Sequence, residues 1–584
     1  MVTQQILPRP EYPRPQFVRP DWVNLNGEWE FEADPGVSGI DREFFRRETL
    51  DGRIVVPFCP ESRLSGVGNT DFLNAVWYRR DITVPDHWAG SRIILHFGAC
   101  DYRTDVWVGG EPAGSHTGGY TPFAFDITGL LHPGVNSLAV CARDDPRTGR
   151  QPKGKQSALY YSHACDYTRT TGIWQTVWLE RVPRQAVEKL RLIPDPDNAC
   201  LHVEAALSDG ADGFTLRARA LWQDAPAGEA RAVVTGRGVR LTVPLAPVEL
   251  WEPGAPRLYD LELELADPAG RKVDTICSYF GLRTVTLGKK AILINHKPVF
   301  QRLVLDQGFY PDGIYTAPSD EAIRGDILLS MSMGFNGARM HQKVFDPRYL
   351  YWADRMGYIV WGEYASWGLA ITTPQGLETF LPEWMESMER DFSSPALVGW
   401  CPFNETWDQD GCRQDDDVLR VTWLVTKALD PTRPVIDTSG NFHVCTDVFD
   451  IHDYEQDPQK FAERFAPMAR GGAPYVTFPE RQHSDGQPYF VSEYGGIWWN
   501  PGQTGGPAWG YGDRPRSGEE FLRRYEGLTR ALLDNPAVCA FCYTQLTDVE
   551  QEVNGLCTYD RRPKFDPALI RRVNARPAAI ETEG

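Results

Sequence analysis

Nowhere in the 584 residues do 18 apolar residues run together, which excludes the ordinary membrane-spanning helix. The opening stretch Met1-Val-Thr-Gln-Gln-Ile-Leu-Pro lacks the apolar core of a secretion signal, and a cytoplasmic protein with no membrane partner is expected. Basic clusters are missing as well: 60 Lys and Arg against 79 Asp and Glu leave a net charge of −19, which disfavours nucleic acid and anionic membrane as partners. The 12 cysteines show no Cys/His metal spacing, and a chain of this length does not need covalent staples, so reduced thiols, no metal and no cofactor are expected. What is plentiful is aromatic: 19 Trp, 23 Tyr and 27 Phe make up 12% of the chain. Flat aromatic faces pack cores, and they also suit the C–H-rich faces of sugars.

The length predicts three or four domains. Residues 8–20, with prolines at 8, 10, 13, 15 and 20, predict an extended arm. Asn26-Gly27 between alternating apolar residues predicts a hairpin, and short alternating strands continue without a helix-length pattern. Residues 1–182 are therefore an all-β sandwich preceded by the arm. Residues 183–284 alternate in the same way over about the length of an immunoglobulin-like sandwich. From 285 to 584 short apolar strands alternate with helices of 10–17 residues, the pattern of βα units and of a C-terminal (β/α)₈ barrel. Expected barrel strands include Val299–Leu305, Phe335–His341, Tyr358–Glu363, Pro434–Asp437, Val448–His452 and Val538–Asp548.

Two of these strands end in glutamate. Leu397–Trp407 breaks from an apolar run into Asn404-Glu405-Thr406, and Pro488–Gly496 carries Ser492-Glu493-Tyr494. A lone carboxylate at a strand end often caps a helix or pairs with arginine. A barrel, however, delivers every strand's C-terminal end to one face, so Glu405 on the fourth strand and Glu493 on the seventh converge. Two convergent carboxyls are what glycoside hydrolysis needs, one as proton donor and one as nucleophile or base. Asn404 stands where its amide can bond the hydroxyl beside the anomeric carbon, which makes Glu405 the donor and Glu493 the nucleophile. Glu493's negative charge is expected to keep Glu405 protonated.

These motifs, in this order, resemble the acid/base and nucleophile segments of glycoside hydrolase family 2, which contains β-galactosidases, β-glucuronidases and β-mannosidases. The resemblance implies a short, three-domain member with an N-terminal jelly-roll opening near Leu25–Trp29, an immunoglobulin-like domain with a turn at Leu250–Gly254, and a TIM barrel. It further implies that Asp166, six residues before Gly172-Ile173, reaches across to the barrel and contacts sugar hydroxyls. Arg339 and His341 would flank the carboxylates and Tyr454 would hydrogen-bond Glu493. For its flat aromatic face, not from the resemblance, Trp498 is expected to bind substrate. Trp367, Trp407 and Trp499 are further aromatic platforms, and Glu363 a supporting carboxylate.

Some residues depart from the family pattern. Thr544 stands where many relatives place tryptophan, and Asp306 lies near a position commonly held by histidine. Ala365–Gly368 lacks the magnesium ligands of the larger β-galactosidases. Glu550–Cys557 lacks the lysine of the glucuronidases' Asn-x-Lys element, which disfavours a glucuronide. The expectation is an exo-acting retaining β-glycosidase, β-galactosidase-like, with mannoside, galacturonide, glucuronide and arabinoside as alternatives. Transglycosylation uses the same residues, and a non-catalytic carbohydrate-binding protein is the rival from another class. The expected partner is a glycoside or oligosaccharide, with a homo-oligomer left open.

Overall fold

The computed structural model describes residues 7–409, 411–502 and 508–582; the opening stretch 1–6 lies outside the described residues. Its first layer pair is a jelly-roll sandwich of a four-stranded and a six-stranded sheet. Trp29, Tyr78, Leu95, Phe97, Val140 and Leu179 fill the space between them. The expected hairpin at Asn26-Gly27 does not form. Trp22–Asn24 pairs with Val177–Val182 in one sheet, whereas Gly27–Ala33 pairs with Gly52–Val56 and Ala75–Thr83 in the other. The buried Asn26 side chain explains the crossing, because it donates to the carbonyls of Pro8 and Arg9 and to Thr176 instead of closing a two-residue turn.

The second sandwich packs a three-stranded sheet (Val187–Asp195, Cys200–Leu207, Gly238–Pro244) on a four-stranded one, seven strands with an immunoglobulin-like layout. Period-two alternation is clear in Gly238–Pro244, where Val239, Leu241 and Val243 point inward. Trp251, in the expected turn, docks this domain on the barrel by donating to the Asp354 carbonyl at 2.8 Å. The proline-rich arm has little regular structure but is pinned along its length. Arg9 pairs with Asp346 of the barrel, Arg14 with Glu180 of the jelly-roll, and Arg19 with Asp274 of the middle domain.

The barrel strands, in chain order, are Gln301–Asp306, Gly337–Met340, Ile359–Glu363, Leu397–Cys401 continued by Phe403–Asn404, Thr438–Ser439, Phe449–Asp453, Tyr489–Gly495 and Val538–Thr544. All named ladders among them are parallel. Their residues are buried almost throughout, as expected for strands covered on both faces. The fifth strand is shorter than its apolar run suggests and begins later. Pro434 has no N–H for a ladder, Val435 makes only an isolated bridge to Trp400, and the Asp437 carboxylate turns aside to cap the backbone of Val444 and Cys445.

Helix ends follow local chemistry. Ser319 caps Asp320–Ser332, and Asp346 caps Pro347–Met356, which ends at Gly357 with φ 66°. All 12 cysteines are free. Cys539 and Cys542 do stand in C-x-x-C spacing, but both are buried within one strand, where an odd separation sends their side chains to opposite faces. No described helix is long and apolar enough to cross a membrane.

Candidate active site

The strand order brings Asn404, Glu405 and Glu493 to the C-terminal face of the barrel. Glu405 sits just beyond the fourth strand in the left-handed region, φ 45°, with its N–H donated to the Ser439 carbonyl at 2.9 Å. That conformation costs a non-glycine residue about 1–2 kcal/mol. Here it turns the carboxylate toward the imidazole of His452. His452 Nδ1 lies 2.7 Å from Glu405 Oε1 and its Nε2 lies 3.3 Å from Glu493 Oε1, so one ring bridges the two carboxylates. One oxygen of each glutamate and one His452 nitrogen all fall within 4.8 Å of one another.

Arg339 is the hub beneath them. Only 1% exposed, it donates to Glu363 Oε1 at 2.5 Å, to the Ser492 carbonyl at 2.7 Å, to Asn404 Oδ1 at 3.0 Å and to Glu493 Oε1 at 3.2 Å. The second Glu493 oxygen accepts the Tyr454 hydroxyl in a short bond, and Tyr454 also meets Thr544 Oγ1 at 3.2 Å. With Oδ1 held by Arg339, Asn404 Nδ2 is a buried donor without a partner among the described residues.

The charge state differs from the sequence expectation. Burial pushes the Glu405 carboxyl up, but the His452 hydrogen bond and charge, followed by Lys155 and Arg339, outweigh it and hold the carboxyl below its ordinary range. Burial works against a charged His452, yet Glu493 and Glu405 raise its proton affinity above that of a free imidazole. Both shifts run the same way and favour the proton on His452 over Glu405. His341 is the converse: burial, then the Lys155 charge, push it well below the usual imidazole value. The neutral ring bonds Glu363 through Nδ1 at 3.2 Å.

Against this geometry the comparisons can be set. Residues 67–183 match the model described as "Glycosyl hydrolases family 2, sugar binding domain", and residues 188–283 match "Glycosyl hydrolases family 2". A β-glucuronidase of Rattus norvegicus is 28% identical over 467 residues, 70% of this chain and 67% of that protein. A β-glucuronidase of Paenibacillus borealis is 26% identical, covering 70% of this chain and 72% of the relative. A solved β-glucuronidase of Bifidobacterium dentium, complexed with coumarin-3-O-glucuronide, superposes with a TM-score of 0.79 at 21% identity over 96% of this chain and 98% of its own, a likeness of fold. Over these two stretches the chain matches glycosyl hydrolases family 2. It is a β-glycosidase, and the galactoside expected from sequence finds no support among these relatives.

The remaining family-derived expectations are met unevenly. The loop bearing Asp166 does cross to the barrel, where Gln551 donates to the carbonyls of Ala164 and Asp166. The Asp166 carboxylate itself is taken up by Lys153 at 2.6 Å. Trp498 is half-buried and has no hydrogen bond to either glutamate among the described residues, and Trp499 packs on Phe521 and Phe565. Trp407 packs against Phe442 and Phe478, 46% exposed, at the rim. Trp367 lies closer, its indole N–H donated to the Asn404 carbonyl at 2.9 Å. Asp306 is buried, caps Gly308 and meets Tyr349.

The cavity over this ground, about 340 Å³, is lined by Lys153, Trp367, Asn404, Glu405 and Trp407 among others. Larger grooves of about 850 and 950 Å³ lie between the domains, away from the carboxylates. Among the described residues two triads could hold a metal by proximity: Glu405, His452 and Glu493, whose closeness the bridging imidazole explains, and Asp195, Cys200 and His202 on the middle domain. Sequence reasoning missed His452. Its signal was present, since Asp450, His452 and Tyr454 alternate onto one face as the sixth strand ends.

Proposed function

We propose that this chain is an exo-acting retaining β-glycosidase that removes a terminal β-linked hexuronide, a β-glucuronidase-type activity, with Glu493 as nucleophile and Glu405 as acid/base. The observation that carries the chemistry is the short separation of the two carboxylates across one imidazole, within 4.8 Å oxygen to oxygen. Retaining enzymes hold their carboxyls about 5–5.5 Å apart, whereas inverting enzymes leave about 6.5–9.5 Å for a water. The uronide reading is supported by the relatives, named β-glucuronidases, and by a similarly folded β-glucuronidase of Ruminococcus gnavus solved in complex with D-glucuronic acid.

Glu493 is paired with Arg339 at 3.2 Å and oriented by the Tyr454 hydroxyl, so one oxygen can attack the anomeric carbon. As the glycosidic bond breaks, the leaving oxygen takes a proton from Glu405. The proton reaches Glu405 Oε1 from His452 Nδ1 across 2.7 Å once substrate displaces water and disfavours the separated charges. Forming the ester on Glu493 removes one of the two negative charges that raise His452. In the second step Glu405 takes a proton from water, whose oxygen attacks the anomeric carbon and releases Glu493. Asn404 Nδ2, free and buried, donates to the hydroxyl beside the reacting carbon.

The test is hydrolysis of a panel of nitrophenyl β-glycosides by the native enzyme, Glu493→Gln and Glu405→Gln. Glucuronide turnover lost by several orders of magnitude in Glu493→Gln is expected. Turnover of only neutral sugars would remove the uronide reading, and an unaffected Glu493→Gln would remove the mechanism.

A further inference from the structure

Beside Trp367, which lines the pocket, stands one more charge that this mechanism does not use. Lys155 comes from the jelly-roll, not the barrel, and is only 6% exposed. Its Nζ lies 4.1 Å from the centre of the Trp367 ring, the same indole whose N–H holds the Asn404 carbonyl. No carboxylate among the described residues lies within ion-pair distance of it, and it makes no hydrogen bond to them, although an ammonium carries three donors. Lys153, two residues earlier, is by contrast fully engaged with Asp166 and with the carbonyls of Gly154 and Gln156.

The segment is held firmly in place. Lys153 N–H is donated to the Trp367 carbonyl at 2.7 Å, and the Lys155 carbonyl accepts from Tyr167 N–H at 2.7 Å. Gly154 has φ +53°, and a Cβ there would come within 2.3 Å of the Gln342 carbonyl oxygen. Only glycine permits this approach, and it sets Lys155 beside the end of the second barrel strand, next to His341. Glu405, Glu493 and Glu552 all act on the Lys155 ammonium through space. Glu552 already accepts from Tyr167 and Asn554, which leaves the lysine's own donors free.

We propose that Lys155 binds the carboxylate of the substrate sugar, supplying from the jelly-roll the cation that the barrel stretch Glu550–Cys557 does not carry. This rests on the uronide reading above. A cation that bonds no described residue, on a side chain only 6% exposed and facing carboxylates it does not touch, is completed by an anionic substituent better than by a hydroxyl. Trp367 anchors the side chain from beneath and fixes where its donors point.

The experiment is calorimetric binding of D-glucuronic acid and D-glucose to the full-length enzyme, to Lys155→Met and to Lys155→Arg. Unfolding temperature and circular dichroism verify each fold. The enzyme is expected to prefer glucuronate. Lys155→Met should abolish at least about thirtyfold of that preference, the lower end for truncating a buried charge partner, and leave glucose binding unchanged. Lys155→Arg should restore part of it. Equal losses for both sugars, a preference that survives in Lys155→Met, or no preference in the native enzyme would each overturn the proposal. Glucuronate bound through Lys155 without turnover of nitrophenyl β-glucuronide would leave the lysine assignment standing and refute the hydrolase reading instead.

Discussion

Replacing His452 by glutamine tests where the catalytic proton rests. The imidazole bonds Glu405 at 2.7 Å and approaches Glu493 at 3.3 Å, and charge-assisted bonds of this kind are worth about 1.5–3 kcal/mol. The active free enzyme holds one proton on the Glu405–His452 pair. Activity is therefore lost at high pH as the pair gives up that proton, in a limb set by the raised His452. Glutamine retains a hydrogen bond but cannot titrate, so the proton must then reside on Glu405.

Free imidazole and carboxyl values differ by about two units, and burial of Glu405 returns part of this. The alkaline limb of kcat/KM should consequently move down by about one unit. At pH 7.5 the rate should fall about tenfold, while near pH 5 it should approach the native rate. The assay is a pH–rate profile with nitrophenyl and alkyl glycosides, the alkyl leaving group depending more on the acid. An alkaline limb unmoved by His452→Gln would refute the relay.

Other outcomes follow from particular contacts. Asn404→Ser removes the free Nδ2 donor and should lower kcat about a hundredfold with little change in KM; a change confined to KM would count against a transition-state contact. Gly154→Ala, strained by its φ and by the Gln342 carbonyl, should lose at least tenfold in kcat/KM with the circular dichroism spectrum intact; full activity would show that the loop's close approach is dispensable. His443 lies buried between Asp437 and Asp450; burial opposes its charge, but the aspartates raise it to about 10. Because this folded value exceeds the unfolded one of about 6.5, its stabilisation is complete below about pH 6.5 and is lost as pH rises through about 10, at most ~5 kcal/mol. The deficit of His443→Gln in unfolding free energy should shrink over that interval, and a constant deficit would contradict the assignment.

Much of the architecture was legible because its signals are local. The switch from period two to strand–helix alternation located the barrel, and apolar runs ending in Glu405 and Glu493 identified the strands that carry them. Arg339 and Tyr454 were singled out through the family resemblance, not through periodicity. Asn26-Gly27 misled because its turn chemistry does not reveal whether flanking strands share a sheet, and buried side-chain bonds of Asn26 decided that they do not. Pro434 shortened the fifth strand in a way an apolar count does not register. Lys155 was invisible for a different reason: an irregular loop has no periodicity, and what places it over Trp367 is contact between domains. Trp498 was singled out for its chemistry alone, which does not fix its direction.

The central claim, covalent catalysis by Glu493, is tested most directly by trapping. The enzyme would be treated with a 2-deoxy-2-fluoro-β-glucuronosyl fluoride, digested, and its peptides mapped by mass spectrometry. The account predicts a single sugar ester on the peptide containing Tyr489–Gly495, localised to Glu493 and lost in Glu493→Gln. A sugar ester on another residue, or full inactivation without any ester on Glu493, would contradict it.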